Sequence, residues 1–262
     1  MLRKTGCEPS FRISDEGWAE GAVRCPSTHS DERPAGSPID LLVIHNISLP
    51  PGEFGTGCVQ RFFTDRLSVD EHPTFESLRD LHVASHFLIE RTGTVTQFLP
   101  CTARGWHAGI SSFEGRSRCN DFSIGIEVEG TDFCPFEEAQ YAALVRLARA
   151  IILRYPIRAV AGHSDIAPGR KTDPGPFFDW SRLAVPEILG CGVSFPFFKA
   201  CGLTIYDPNN LKSHSTGGVS LTPPDANSLL WRAGALNQSA PDALPGHPII
   251  HTEKCLILLP SA

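Results

Sequence analysis

The sequence lacks the long apolar run of a membrane protein. No hydrophobic stretch in its 262 residues approaches the roughly 20 residues that a transmembrane helix needs. Residues 1–10 carry positive charge, but no apolar segment of about 7 to 15 residues follows them, so the working part of a secretory signal is missing. We therefore expect a cytoplasmic protein that does not interact with membranes.

The sequence also lacks a basic excess and closely spaced cysteine pairs. Its formal net charge of −6 argues against binding to nucleic acid or to anionic membranes. Nine cysteines, an odd number, lie at wide spacings without any C-x-x-C pair. This pattern is typical of reduced thiols rather than of a disulfide framework or a four-cysteine zinc site, and it agrees with a cytoplasmic location.

Strand-length apolar runs and one long helical pattern predict an α/β domain. We interpret it as a mixed central sheet with helices packed on its faces. A glycine-containing turn joins two of the predicted strands into a hairpin. The predicted strands are residues 39–44, 83–90, 94–99, 122–128 and 159–161, and the clearest helix is residues 137–155, which ends at a proline.

Two histidines follow the ends of two predicted strands. His45 follows residues 39–44, and His163 lies in a loop, residues 162–176, whose prolines and glycines exclude a helix interior or a central strand. With Asp173 in that loop they form a two-histidine, one-carboxylate set, the ligand composition of a catalytic zinc site. However, 118 residues separate the histidines and no H-E-x-x-H helix connects them. Strand-end histidines bonded to the backbone therefore remain an alternative.

A carboxylate interrupts the apolar centre of the strand predicted at residues 122–128. Glu127 must be paired, linked to a metal or raised in pKa, and a general base that acts on a metal-bound water needs such a setting. Glu129 lies two residues further and points to the same side of the strand. The pattern alone therefore does not choose between the two carboxylates.

Aromatic and basic side chains in loops are candidates for substrate binding. Trp106 and His107 follow the predicted hairpin, where they could contact a sugar or a peptide, although a tryptophan can equally belong to the core. Arg116 and Arg118 could bind carboxylates through their guanidinium forks, but a loop arginine is usually only solvated. Three further histidines are predicted to pack and hydrogen-bond outside the metal site: His29, His72 and His86.

The composition changes after residue 186. Residues 187–262 contain 9 charged residues, against 43 in the first 186, and no regular apolar pattern runs for long. We expect a domain at residues 13–186 and a C-terminal extension of unknown structure at residues 187–262. The histidines of the extension receive no functional interpretation.

Four stretches in this order resemble a known enzyme family. They are residues 42–54 (LVIHNISLPPGEF), 104–109 (RGWHAG), 119–132 (CNDFSIGIEVEGTD) and 162–176 (GHSDIAPGRKTDPGP). The sequence is similar to the cytoplasmic 1,6-anhydro-N-acetylmuramyl-L-alanine amidases of the AmpD type, which belong to the zinc amidase and peptidoglycan-recognition superfamily. The resemblance covers about residues 13–186 and implies the fold of that superfamily.

The resemblance also implies a reaction and the residues that perform it. The expected reaction is hydrolysis of the amide between the lactyl group of N-acetylmuramic acid and the L-alanine of the stem peptide. By family position, zinc (Zn²⁺) would be held by His45, His163 and Asp173. Glu127 and Lys171 would form the catalytic pair.

For substrate contacts, the resemblance points to Asn46, Trp106 and Arg118. It implies a monomer that acts on anhydro-muropeptides in peptidoglycan recycling. The alternatives are a non-catalytic module that binds peptidoglycan fragments and an amidase that acts on the polymeric cell wall. His82 departs from the family pattern, which often has a basic or small polar residue there, so contacts to the peptide carboxylates are in doubt at that position.

Overall fold

The computed structural model describes residues 11–184 and a two-residue strand at residues 204 and 205. These residues belong to one unit of the chain, Met1–Asp207 with Thr252–Ala262. The rest of the predicted extension lies outside the described residues. Within the described residues, no helix is long and apolar enough to cross a membrane.

The described residues form thirteen strands and four α-helices, and three short 3₁₀-helices lie at Val69–Glu71, Pro73–Leu78 and Cys119–Asp121. The strands are β1 (Arg12–Ile13), β2 (Ala19–Glu20), β3 (Val23–Arg24), β4 (Ser30–Asp31), β5 (Leu41–Ile47), β6 (Phe87–Ile89), β7 (Val95–Gln97), β8 (Arg104–Gly105), β9 (Ser112–Phe113), β10 (Arg116–Ser117), β11 (Ser123–Glu129), β12 (Ala159–Gly162) and β13 (Thr204–Ile205). The helices are α1 (Cys58–Phe62), α2 (Glu138–Arg154), α3 (His163–Ile166) and α4 (Ser181–Ala184).

The central sheet is mixed and has seven strands in the order β13-β12-β5-β11-β6-β7-β3. Strands β12, β5, β11 and β6 run parallel to one another, whereas β6 and β7 form an antiparallel hairpin. Gly93 in the hairpin turn has φ 82°, a backbone conformation that glycine adopts readily. The predicted fold class, a mixed central sheet flanked by helices, is confirmed.

Strands β5 and β11 are buried along almost their whole length, and β5 begins with a run of apolar residues, 41–44. Leu42, Ile44 and Ile126 belong to the cluster that packs against α2. Because side chains alternate along a strand, His45 and Glu127 point to the opposite face. That face carries the candidate site.

Helix α2 is attached to the sheet through its first turn. Gln140 completes a capping box with Glu137, and its side-chain amide donates to the carbonyls of Ile89 and Glu129 at the ends of two strands. The apolar stripe of α2, which includes Leu144 and Ile151, then covers the sheet. The helix therefore fixes the ends of these strands, and its apolar side chains pack on the face opposite to the candidate site.

We propose that the domain ends near residue 186, although β13 comes from beyond that point. This strand pairs with β12 over only two residues at the edge of the sheet, so its contribution to stability should be small. A chain cut after Pro186 should fold, with a melting temperature within about 4 °C of that of a chain cut after Asp207. Circular dichroism melts compare the two. If the shorter chain alone unfolds or aggregates, the boundary at 186 is wrong.

Candidate metal centre and active-site cleft

Three side chains meet at the carboxyl ends of the central parallel strands. The Nδ1 atoms of His45 and His163 are 3.0 Å apart, and Asp173 Oδ2 lies 3.0 Å and 3.1 Å from them. Both imidazole rings are buried, and they contact each other edge to face. The structure therefore brings together the two-histidine, one-carboxylate set that the sequence suggested.

Strand register and one capping contact produce this arrangement. Strand β12 pairs with β5 so that Gly162 is opposite Ile44, which places the residues that follow them, His163 at the start of α3 and His45 in β5, side by side. The Asp165 side chain accepts from the Gly162 amide at 2.7 Å and caps α3. The Ser164 amide donates to the Asp173 carbonyl at 2.9 Å, which folds the loop back onto the histidines.

The donor set fits a cation better than it fits protons. His163 Nε2 donates to the Ala108 carbonyl at 3.1 Å, so the Nδ1 of a neutral ring carries a lone pair. Burial and the neighbouring His163 lower the pKa of His45 to about 4, which keeps that ring neutral at pH 7. No placement of protons on neutral rings gives each of the three close contacts a donor and an acceptor. A zinc ion with bonds of about 2.0–2.2 Å would satisfy all three atoms at once.

His107 contacts the ring nitrogen of His45 that faces away from Asp173. His45 Nε2 lies 3.0 Å from His107 Nδ1, and His107 Nε2 lies 3.3 Å from the hydroxyl of Ser123, which donates to the Cys119 carbonyl. In this series of hydrogen bonds, His45 Nε2 donates to His107 Nδ1. The Nδ1 of a neutral His45 ring therefore carries a lone pair that can bind a metal ion. Gly125 makes it possible, because a Cβ there would lie 2.6 Å from the His107 ring. His107 also lines the cleft, so its suggested contact with substrate stays a prediction beside this role.

The two carboxylates of β11 have different environments. Glu129 accepts from the backbone amides of Gly55 and Arg91, at 2.7 Å and 3.0 Å, and so holds two loops. Glu127 is opposite His45 in the strand pairing and is buried, and its Oε2 has no hydrogen-bond partner within the described residues. Burial above all, together with Asp173, raises the pKa of Glu127 well above its ordinary value. This is the environment of a proton-transfer group rather than of a structural ion pair.

Lys171 lies in the same cleft as Glu127 and is buried. Burial lowers the pKa of Lys171, while the carboxylates of Asp173 and Glu127 act in the opposite direction. A buried ammonium beside the metal-ligand group can stabilise negative charge that develops on a substrate oxygen.

The three suggested substrate-binding residues have different positions. Trp106 lines the cleft, and its indole donates to Asp31 at 3.2 Å. Asn46 also lines it, but the amide group of its side chain donates to Asp132 and to the Pro174 carbonyl. Arg118 is exposed and pairs with a carboxylate at 3.2 Å, and it does not belong to the described residues that line the cleft.

The sequence did not reveal the apolar wall of the cleft. Its residues are Phe62, Phe63, Leu78, Leu81 and Val83. Most of them also belong to a core cluster, so their helical or alternating spacing indicates packing and hides their second role. Of the histidines predicted to pack, His86 is fully buried and accepts from the Gly125 amide. His72 accepts from the Thr74 amide.

A mixed α/β sheet with a metal-ligand group and an unpaired buried carboxylate in one cleft is typical of hydrolases. Residues 35–176 match the family model described as N-acetylmuramoyl-L-alanine amidase, which is more than half of the chain. The chain belongs to this amidase family.

Relatives of about half identity carry a more specific name. The chain is 52% identical over 173 residues to the 1,6-anhydro-N-acetylmuramyl-L-alanine amidase AmpD of Citrobacter freundii, covering 65% of this chain and 92% of that protein. It is 51% identical over 175 residues to the AmpD of Escherichia coli, with coverages of 66% and 96%. A crystal structure of a selenomethionine AmpD derivative matches with a TM-score of 0.62 and 51% identity, covering 64% of this chain and 96% of that one.

The metal-ligand group yields a direct prediction. Asp173→Asn should remove one equivalent of bound zinc, or weaken its binding more than about 100-fold, because it removes the only negative charge of the group. Asp132→Asn is the matched control, since Asp132 lines the same cleft but accepts from Asn46 and is not in the ligand group. Zinc titration of the metal-free proteins measures both. Unchanged zinc binding in Asp173→Asn would contradict the ligand assignment.

Proposed function

We propose that the protein is a zinc-dependent amidase that cleaves the amide between the lactyl group of 1,6-anhydro-N-acetylmuramic acid and the L-alanine of the stem peptide. One observation carries the proposal: the close triangle of His45, His163 and Asp173 shares a cleft with Glu127, whose buried Oε2 has no hydrogen-bond partner among the described residues. The relatives named AmpD support the choice of substrate.

The metal site supplies the electrophile. Zinc would be held by His45, His163 and Asp173, and it would polarise the scissile carbonyl and lower the pKa of a bound water towards about 7. His107 and the Ala108 carbonyl fix the orientation of the two imidazole rings that would bind it.

Glu127 and Lys171 perform the remaining steps. Glu127 takes a proton from the attacking water and delivers it to the leaving nitrogen of alanine, and its raised pKa suits this double role. Lys171 stabilises the oxyanion of the tetrahedral intermediate. Its charge acts strongly because the side chain is withdrawn from water.

The substrate contacts follow from position in the cleft. We assign Trp106 to stacking on the sugar and Asn46 to the wall beside the scissile bond. Arg118 can contact only a part of the substrate that extends beyond the cleft, such as a carboxylate of the stem peptide.

We infer that the enzyme works as a monomer in the cytoplasm, in peptidoglycan recycling. The five described cysteines are free, as cytoplasmic thiols are. The net charge of −6 disfavours attachment to anionic wall polymers and agrees with a small soluble substrate.

Glu127 provides a test of the chemical step. Glu127→Gln should keep zinc and lower kcat by about 10²- to 10⁴-fold, because glutamine cannot transfer the proton. Glu129→Gln is the matched control on the same strand. It should retain kcat within a few-fold, because Glu129 only accepts hydrogen bonds from two loop amides. Steady-state kinetics and zinc analysis of both variants decide it. A near-normal kcat in Glu127→Gln would move the role to another group.

A comparison of substrates tests the proposed function itself. Purified protein should release stem peptide from an anhydro-muropeptide with a higher kcat/KM than from intact peptidoglycan at equal stem-peptide concentration, and a chelator should abolish the release. Mass spectrometry detects the freed peptide. Equal or better activity on the polymer would indicate a wall-degrading amidase. Binding without release in the zinc-loaded protein would indicate a recognition module.

A further inference from the structure

A second group of metal-ligating side chains lies apart from the first group. His29, Asp65 and His82 come from three different segments: the loop between β3 and β4, the turn after α1 and the loop that precedes β6. Asp65 Oδ2 lies 2.8 Å from His29 Nε2, and Asp65 Oδ1 lies 3.0 Å from His82 Nδ1. The proposed amidase reaction uses none of these residues.

The proton on His29 is assigned by its backbone partner. His29 Nδ1 lies 2.9 Å from the Val83 carbonyl, which can only accept, so Nδ1 carries a proton. In a neutral ring, Nε2 then directs its lone pair at the Asp65 carboxylate, and two acceptors face each other at 2.8 Å. The His29 side chain is only 4% exposed, so water does not relieve this contact. A positive charge, either a proton or a metal ion, must lie between the two atoms.

The other two side chains leave room for a metal ion. Asp65 is 50% exposed and His82 is 58% exposed, so an ion can enter from solvent. The three ligand atoms lie within 4.8 Å of one another. Bonds of about 2.0–2.2 Å to one ion would place the ligand atoms roughly 3.3 Å apart. The Asp65 carboxylate would move slightly away from His29, and rotation of the exposed Asp65 and His82 side chains can supply these movements.

We propose that His29, Asp65 and His82 form a second site, for a divalent transition-metal ion such as Zn²⁺. Two imidazole nitrogens and a carboxylate are suited to zinc and its neighbours in the transition series, whereas Mg²⁺ and Ca²⁺ prefer oxygen ligands alone. The bond from His29 Nδ1 to a backbone carbonyl is the outer contact that metal-binding histidines usually make. Water completes the coordination on the exposed side.

The site would stabilise one side of the substrate cleft. Trp106, which lines the cleft, stacks on His29 with ring centroids 6.1 Å apart and planes within 9°. The segments that carry Asp65 and His82 also carry Phe62, Phe63 and Val83 of the apolar wall. A metal ion bound to all three ligands therefore links the segments that shape the sugar end of the cleft. It acts on the wall and not on the chemical step.

Zinc titration of the metal-free, full-length protein tests this site. Asp65→Asn should bind one equivalent of Zn²⁺ fewer than the unmodified protein, and His82→Gln, at an exposed position, should lose the same equivalent. Asp80→Asn is the matched control, since it removes an exposed carboxylate two residues from His82 and should bind as the unmodified protein does. The comparison counts only the equivalent that depends on Asp65, so it holds whether or not the amidase site binds zinc.

Two results would overturn the proposal. If Asp65→Asn and His82→Gln bind as many equivalents as the unmodified protein, Asp65 is an ion-pair partner of protonated histidines and no metal site exists. If Asp80→Asn loses the same equivalent, the loss reflects surface charge alone. Loss of one equivalent in both ligand variants and in no control supports the site.

Discussion

The candidate site depends on the parallel pairing of three central strands. Strand β5 pairs with β12 on one side and with β11 on the other, so His45 lies between His163 and Glu127. Because side chains alternate strictly along a strand, a shift of one residue in either pairing would turn a functional side chain towards α2. The apolar residues that pack on the helix therefore fix the positions of the residues that face the cleft.

Burial then gives these polar groups their chemistry. His45 and Glu127 are removed from water, which favours the neutral form of each: the pKa of His45 is lowered and the pKa of Glu127 is raised. Asp173 is an exception: burial raises its pKa, but the neighbouring histidines lower it far below its ordinary value, so it stays charged. An anion beside two imidazole nitrogens attracts a cation, while a carboxylate with a raised pKa is suited to accept a proton and to pass it on.

Local patterns predicted the sheet, the long helix and the strand-end histidines, but they did not predict long-range contacts. Glu127 and Glu129 could not be distinguished because both point the same way, and only the backbone amides of Gly55 and Arg91 separate their roles. The contact between His107 and His45 was not predicted, because nothing in the segment around His107 shows the space that Gly125 leaves for its ring. Contacts of this kind appear only once distant strands are paired.

The account depends most on the identity of the ligands at the first metal site. X-ray absorption at the zinc edge, on the Asp65→Asn variant loaded with one equivalent of zinc, measures the ligand elements and distances at this site directly, because that variant lacks a ligand of the proposed second site. We expect a four-coordinate shell of nitrogen and oxygen at about 2.0–2.2 Å with the scattering pattern of two imidazole rings. A sulfur neighbour at about 2.3 Å, or an oxygen-only shell without imidazole scattering, would contradict the assignment of His45, His163 and Asp173.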